Sequence, residues 1–288
     1  RTQEREEKRK IREKNMYIDS PYKKLPKLLE RYYTMNGKIP IIYKYYDNSK
    51  KNGIEWNRKL IDSYIKKFTP ENIKKNKEGF SGNEHEYCFN LLKALNRYEV
   101  IKKNVAVVGS EKPWIESILL NMKNNVTTIE YNVPKCNYKN LRCKSYFEYF
   151  ENNKDEFDVI ITLSSIQHSG LGRYGEKLDP NGDLKTIENI HNNLTKNGIL
   201  IWGAPIGKDV LCWNSHRVYG RIRLPLMFRK FTEIEWFSNK KKQELFDNSS
   251  KKDYYEPVIV LKKKMESDER IEKIETRAII IEEQKKDI

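Results

Sequence analysis

Asn104-Val105-Ala106-Val107-Val108-Gly109 is a short, wholly apolar run that ends in glycine. Ile115, Ile118, Leu119 and Met122 follow it at helical spacing, and Val126-Thr127-Thr128-Ile129-Glu130 then forms a second β-rich run ending on an acid. An apolar strand, an amphipathic helix and a second strand in this order predict the first unit of a parallel sheet. The rest of the chain extends the same rhythm.

Upstream, Cys88, Leu91, Leu92 and Leu95 recur at i, i+3, i+4 and i+7, which predicts an amphipathic helix. Downstream, Leu141–Lys144 reads as a weaker third strand and Phe157–Leu163 as a fourth, followed by a long polar loop to about Gly182. Ile187, Ile190, His191 and Leu194 mark another helix, and Gly198–Gly203 a fifth strand. Strands apolar on both faces, alternating with such helices, specify a Rossmann-like, mostly parallel sheet with helices on both faces. Phe231–Phe237 alternates apolar and polar, and Tyr255–Leu261 is rich in β-branched residues, so these two predict an antiparallel edge pair joined by a polar loop.

The flanks differ in kind. Residues 1–16 form a charged tail, with seven basic and four acidic side chains before Met16. Residues 17–81 are aromatic and basic: a helix after Pro21, an extended stretch Ile39–Tyr46 and a helix near Trp56–Phe68 predict a cover on the α/β domain at 82–264. Residues 265–288 return to mixed charge and form a C-terminal appendage. This organisation suits the 288-residue length, which exceeds one ordinary domain and falls short of two.

Composition narrows the function. Charged residues reach 34%, yet 18 Tyr, 10 Phe and 5 Trp argue against wholesale disorder. No apolar run approaches the ~18 residues of a membrane helix, so no span is expected. The net charge of +15 suggests nucleic acid, acidic lipid or an anionic substrate, but the lysines are dispersed rather than striped and no single-strand-binding motif accompanies them. Nucleic acid is therefore ranked low. The four cysteines and four histidines show no zinc spacing, so no metal is expected. The chain opens at Arg1 rather than Met, as a fragment would, with room for a targeting segment ahead of it; a cytoplasmic place is favoured. Oligomeric state has no signature here.

In an open α/β sheet, ligands bind beyond the carboxyl ends of the strands near the switch in strand order. Gly109 and Ser110 follow the first strand, Glu130 ends the second, and Ser164 and Ser165 follow the fourth. An acid about twenty residues beyond the first strand's glycine can accept both hydroxyls of a ribose. As an exposed strand-end acid, Glu130 is expected to contribute little to stability.

The loop Gln167–Gly175 carries three glycines with His168, Arg173 and Tyr174, and Trp213–Tyr219 repeats the trio with His216, Arg217 and Tyr219. Histidine suits proton transfer and arginine anion recognition, so the two loops are expected to share a pocket on one sheet edge. His191 lies on an apolar helical stripe and reads as a packing residue. His85, between Glu84 and Glu86, reads as a helix cap.

Val105–Ser110, Thr128–Asn132, Ser164–Gly175 and Trp213–Gly220 together resemble a nematode-type (Caenorhabditis) family, domain of unknown function 268, across roughly Gly82 to Lys262. That family is similar to divergent class I S-adenosylmethionine-dependent methyltransferases. The resemblance implies a class I methyltransferase-like fold, with Gly109 and Ser110 facing the methionine end of the cofactor and Glu130 holding its ribose. Ser164 and Ser165 would shape the transfer site. The function expected is methyl transfer to a small or glycan-like polar acceptor, and the residue types of the two loops point to His168 or His216 as base and to Arg173 and Arg217 as holders of an anionic acceptor. The usual Gly-x-Gly-x-Gly is missing, which keeps a non-catalytic binding module as the competing reading.

Overall fold

The computed structural model describes residues 21–49, 54–76, 82–146, 149–150, 156–247 and 254–265, with the backbone alone at 82–85. The two charged tails at 1–16 and 266–288 and the His85 side chain lie outside the described residues.

A seven-stranded sheet organises the chain. Its strands are β3 (Asn104–Val108), β4 (Asn125–Glu130), β6 (Leu141–Ser145), β7 (Phe157–Leu163), β8 (Leu194–Gly203), β11 (Phe231–Phe237) and β12 (Val258–Lys263), in the order β11-β12-β8-β7-β3-β4-β6. The five strands from β6 to β8 run parallel, while β12 is antiparallel to β8 and to β11. Val105, Ala106 and Val107 lie opposite Val159, Ile160 and Ile161. This is the mostly parallel sheet with an antiparallel edge pair that the alternation of strands and helices predicts.

The pleat sorts the apolar residues between two cores. Val105, Val107, Val159, Ile161 and Val260 meet helices α4 (Gly82–Arg97) and α5 (Trp114–Asn121) on one face. Ala106, Val108, Ile160, Leu200 and Ile259 meet α6 (Gly182–Asn192) and α7 (Leu224–Phe228) on the other. Both faces are dry, which is why these strands read as continuous apolar runs.

The N-terminal region is built into the body. Its helices are α1 (Lys27–Tyr33), α2 (Arg58–Lys67) and α3 (Pro70–Lys75). Asn57 and Thr69 cap α2 and α3 through their side-chain oxygens, and Pro70 supplies the preset φ of a first helical turn. The extended stretch forms β1 (Ile41–Lys44), which pairs in parallel with β9 (Val210–Asn214). β10 (His216–Val218) completes this second sheet, while β2 (Glu55–Trp56) pairs with β5 (Lys135–Cys136). Trp213–Tyr219 is therefore largely strand rather than loop. The polar connection after β11 also holds a short helix, α8 (Lys242–Asp247).

Candidate functional site

The chain leaves β3 toward β4 and β6 on one side, then returns to place β7 on the other. The switch in strand order thus falls between β3 and β7, where a crevice must open. A cleft of about 850 Å³, counting space open to solvent, occupies this place. Gly109, Ser110, Glu130, Ser164, Ser165, His168 and Tyr174 all line it.

Gly109 turns the chain with φ +78°, and a Cβ there would come within 1.8 Å of Ser165 Oγ. Only glycine fits, and Ser165 fills the space above it. The next amide, Ser110 N–H, donates to Glu130 Oε2 at 2.8 Å, and Tyr131 N–H donates to Glu130 Oε1 at 2.8 Å. Glu130 is half-buried; burial raises its pKa and the two amide bonds oppose that rise. It is a brace between two strand ends, not the free acid expected from the sequence. The Asn132 amide also stabilises the carboxylate, so about one of its roughly four lone-pair sites is left for a ligand.

A second carboxylate lies beneath. Glu116, fully buried on α5, has Ser110 Oγ at 3.1 Å on one oxygen and Thr128 Oγ1 at 2.8 Å on the other. Burial pushes its pKa up to about 7. Ser110 is therefore bracketed by Glu116 and Glu130.

His168 ends a 3₁₀ turn after β7. Its Nδ1 lies 2.5 Å from the Ser215 carbonyl oxygen, which can only accept, so Nδ1 carries the proton and Nε2 the lone pair. Burial pushes its pKa down to about 3, keeping the ring neutral. Tyr174 packs edge-on against it at 5.8 Å, and burial raises the phenol to about 12. The loop between them is tied by Glu176, which is buried and accepts from the Gly172 and Tyr174 amides at 2.8 and 2.9 Å.

The second His/Arg/Tyr trio does not reach the cleft. His216 is 8% exposed, with Nδ1 bonded to Ser215 Oγ at 2.8 Å and its pKa lowered to about 4 by burial. Arg217 is 3% exposed and donates to the carbonyls of Ser169 at 2.7 Å and Gln167 at 3.4 Å, with Asp183 at 3.6 Å. It ties the first loop to the body: its donors are directed at protein carbonyls, and it does not line the cleft. Tyr219 donates to Asp183, which also pairs with Arg223 at 2.5 Å. Arg173 lies over the rings of Tyr46 and Tyr174 and points Nη1 at the Ser215 carbonyl, away from the cleft lining. His191 packs on Phe231.

Several carboxylates escaped the sequence reading, Glu116, Glu176 and Glu256 among them. Glu116 interrupts the apolar run Trp114–Leu119, and that interruption was its only signal. Glu176 and Glu256 carry no pattern. Among the described residues no three His, Cys, Asp or Glu side chains converge as a metal site, and no helix is long and apolar enough to cross a membrane.

The sheet order and the cleft at its switch point define a Rossmann-like, doubly wound α/β protein. The chain belongs to the family described as Caenorhabditis protein of unknown function, DUF268, which matches residues 102–265. No curated protein matches it in sequence. In structure it is similar to a 1,6-didemethyltoxoflavin-N1-methyltransferase of Burkholderia thailandensis solved with 1,6-didemethyltoxoflavin and S-adenosylhomocysteine, at 10% identity over 75% of this chain and 93% of that one, with a TM-score of 0.43. An S-adenosylmethionine-dependent methyltransferase of Clostridium acetobutylicum is similar at 11% identity over 68% and 97%, with a TM-score of 0.42. The PH0226 protein of Pyrococcus horikoshii gives 13%, 69%, 95% and 0.43.

Proposed function

We propose that the chain is an S-adenosylmethionine-dependent methyltransferase acting on a small or glycan-like polar acceptor. The convergence of Gly109, Ser110, Glu130, Ser164, Ser165, His168 and Tyr174 on one cleft at the switch point carries this reading. The donor set fits a nucleoside cofactor: Glu130 keeps an acceptor site for a ribose hydroxyl, and Gly109 and Ser110 present the β3 turn to its methionine end. In this reading residues 82–264 are the catalytic unit, and the described residues of the 17–81 region pack over it.

The cofactor supplies a methyl group on a sulfonium that departs as a neutral sulfide. What remains for the protein is alignment and proton removal. Ser164 and Ser165 shape the wall where β7 ends. His168 holds its Nδ1 proton on the Ser215 carbonyl, so its Nε2 lone pair, which has only a long contact of 3.5 Å from the Gln167 side-chain amide among the described residues, is the atom that would take the acceptor's proton. His216, buried and outside the cleft lining, is the weaker candidate.

One observation favours a non-catalytic binding module instead: Ser165 Oγ fills the space over Gly109 that a glycine-rich turn leaves for its ligand. Thermal unfolding with S-adenosylhomocysteine separates the two readings. A ligand at a hundred times its Kd adds about 2.7 kcal/mol to native stability. The methyltransferase reading predicts a raised melting temperature, and an unchanged one at millimolar ligand supports the module.

A further inference from the structure

Ser164 lines the cleft, and it also lines a second cavity, of about 1050 Å³ counting space open to solvent. Glu86, Tyr87, Tyr254, Tyr255 and Glu256 form the rest of its wall with Ser238. On the methyltransferase reading, on which this inference rests, the cofactor fills the cleft and the second cavity lies where an acceptor must reach the end of β7.

The cavity's chemistry differs from the rest of the protein. The chain carries a net charge of +15, yet the only charged side chains in this wall, among the described residues, are two carboxylates. Glu256 is half-buried and accepts from Ser164 Oγ, with no ion-pair partner among the described residues. Burial raises its pKa, as expected for a carboxylate that lacks a counter-charge. Tyr87 brings a buried hydroxyl beside Ser164 and Glu256 that makes no well-formed hydrogen bond. Among the described residues, Glu86 accepts one hydrogen bond, a long one of 3.3 Å from the Asn239 amide.

Tyrosine faces add to the carboxylates. Tyr254 is 38% exposed, and Tyr255 already carries a cation on its face, the Lys240 ammonium at 3.8 Å from the ring centroid. Tyrosine rings and carboxylates around one space attract an ammonium group by ring quadrupole and by charge, and repel anions.

We propose that this cavity binds a cationic nitrogen of the acceptor, between Glu256 and Glu86 and against the face of Tyr254. The acceptor is then an amine or quaternary ammonium compound rather than the anion expected from Arg173 and Arg217, whose guanidinium groups are engaged within the protein.

The test is calorimetric titration of the full chain with tetramethylammonium chloride at constant ionic strength. Saturable millimolar binding is expected, weakened about tenfold in Glu256→Gln, a change of ~1.4 kcal/mol. Glu86→Gln and Tyr254→Leu, both outside the cofactor cleft, are expected to weaken it too, which covers the case of a poorly folded Glu256 variant. Phenyl phosphate is expected to give no heat. Absence of saturation at tens of millimolar, affinity indifferent to all three substitutions, or tight phenyl phosphate binding lost in the same variants would overturn the proposal. Tighter binding on Lys240→Ala alone, with the carboxylate variants silent, would also overturn it, since the lysine would then be the intended occupant. A separate titration with S-adenosylhomocysteine distinguishes the failures: its binding without tetramethylammonium binding sinks only the amine assignment, whereas the reverse sinks the acceptor role through the cofactor reading.

Discussion

Glu130 Oε2 accepts the Ser110 amide at 2.8 Å, so the acid that ends β4 fastens the turn that leaves β3. Two strand ends are thus locked by one carboxylate, whose second oxygen accepts Tyr131 N–H. Hydrogen bonds to a charged group are worth about 1.5–3 kcal/mol each. Glu130→Gln should therefore lower stability by roughly 1–3 kcal/mol, because its amide can accept at one oxygen only. Chemical denaturation of wild type and variant measures this, and equal midpoints would contradict the brace.

Glu116 predicts a pH dependence. Its folded pKa, pushed up to about 7 by burial, exceeds that of an unfolded glutamate, so the native state binds more protons between the two values. Its contribution is full below the unfolded pKa and is lost as pH rises from about 4.5 to about 7. Glu116→Gln should remove that part of the slope and leave the variant's stability flatter over this window. Melting curves across pH 4–8 should show the two proteins diverging (about the range set by the two pKa values).

The Arg217–Asp183–Arg223 group predicts a large structural effect. All three are 3% exposed or less. Burial alone would raise the Asp183 pKa, but the charges of Arg217 and Arg223 outweigh it and hold the carboxylate ionised. Removing one partner from such a group costs about 3–5 kcal/mol. Arg217→Met should therefore unfold much earlier in urea, whereas Arg173→Met, at a half-buried stacking site, should cost far less.

His168 predicts a separation of binding from chemistry. His168→Gln should keep S-adenosylhomocysteine affinity while lowering methyl transfer by about 10²–10⁴-fold, the usual worth of a positioned base. Because the folded pKa is about 3, the pH–rate profile should show no inflection near 6.5 from this ring. Single-turnover kinetics with a methyl-accepting amine checks both points, and a fall in kcat below pH 6.5 that vanishes in His168→Gln would contradict the assignment.

The fold was legible because β3, β7 and β8 are apolar on both faces, and only a sheet covered on both sides makes such runs. That Gly109, Glu130, Ser164 and Ser165 line one cleft was legible for the same reason, since strand ends locate a crevice without side-chain detail. The loop trios were harder. His168 and His216 share a sequence neighbourhood type, yet β9 and β10 carry His216 and Arg217 into a separate small sheet with β1. That pairing joins residues about 170 positions apart, as in Ile42 with Cys212, and nothing local encodes it. Buried carboxylates such as Glu116 and Asp183 were invisible because their partners, Thr128, Arg217 and Arg223, are assembled only by the fold.

If the cleft at the β3–β7 switch holds a nucleoside cofactor through Glu130, as proposed, isothermal calorimetry with S-adenosylmethionine reads that binding without an acceptor. Wild type should give a saturable heat with one site per chain. Glu130→Gln, still folded, should bind about tenfold more weakly or worse, since ~1.4 kcal/mol is a factor of ten and a charged acceptor to a ribose hydroxyl contributes at least that. No heat from wild type at millimolar cofactor, or equal affinity in the two proteins, would contradict the account.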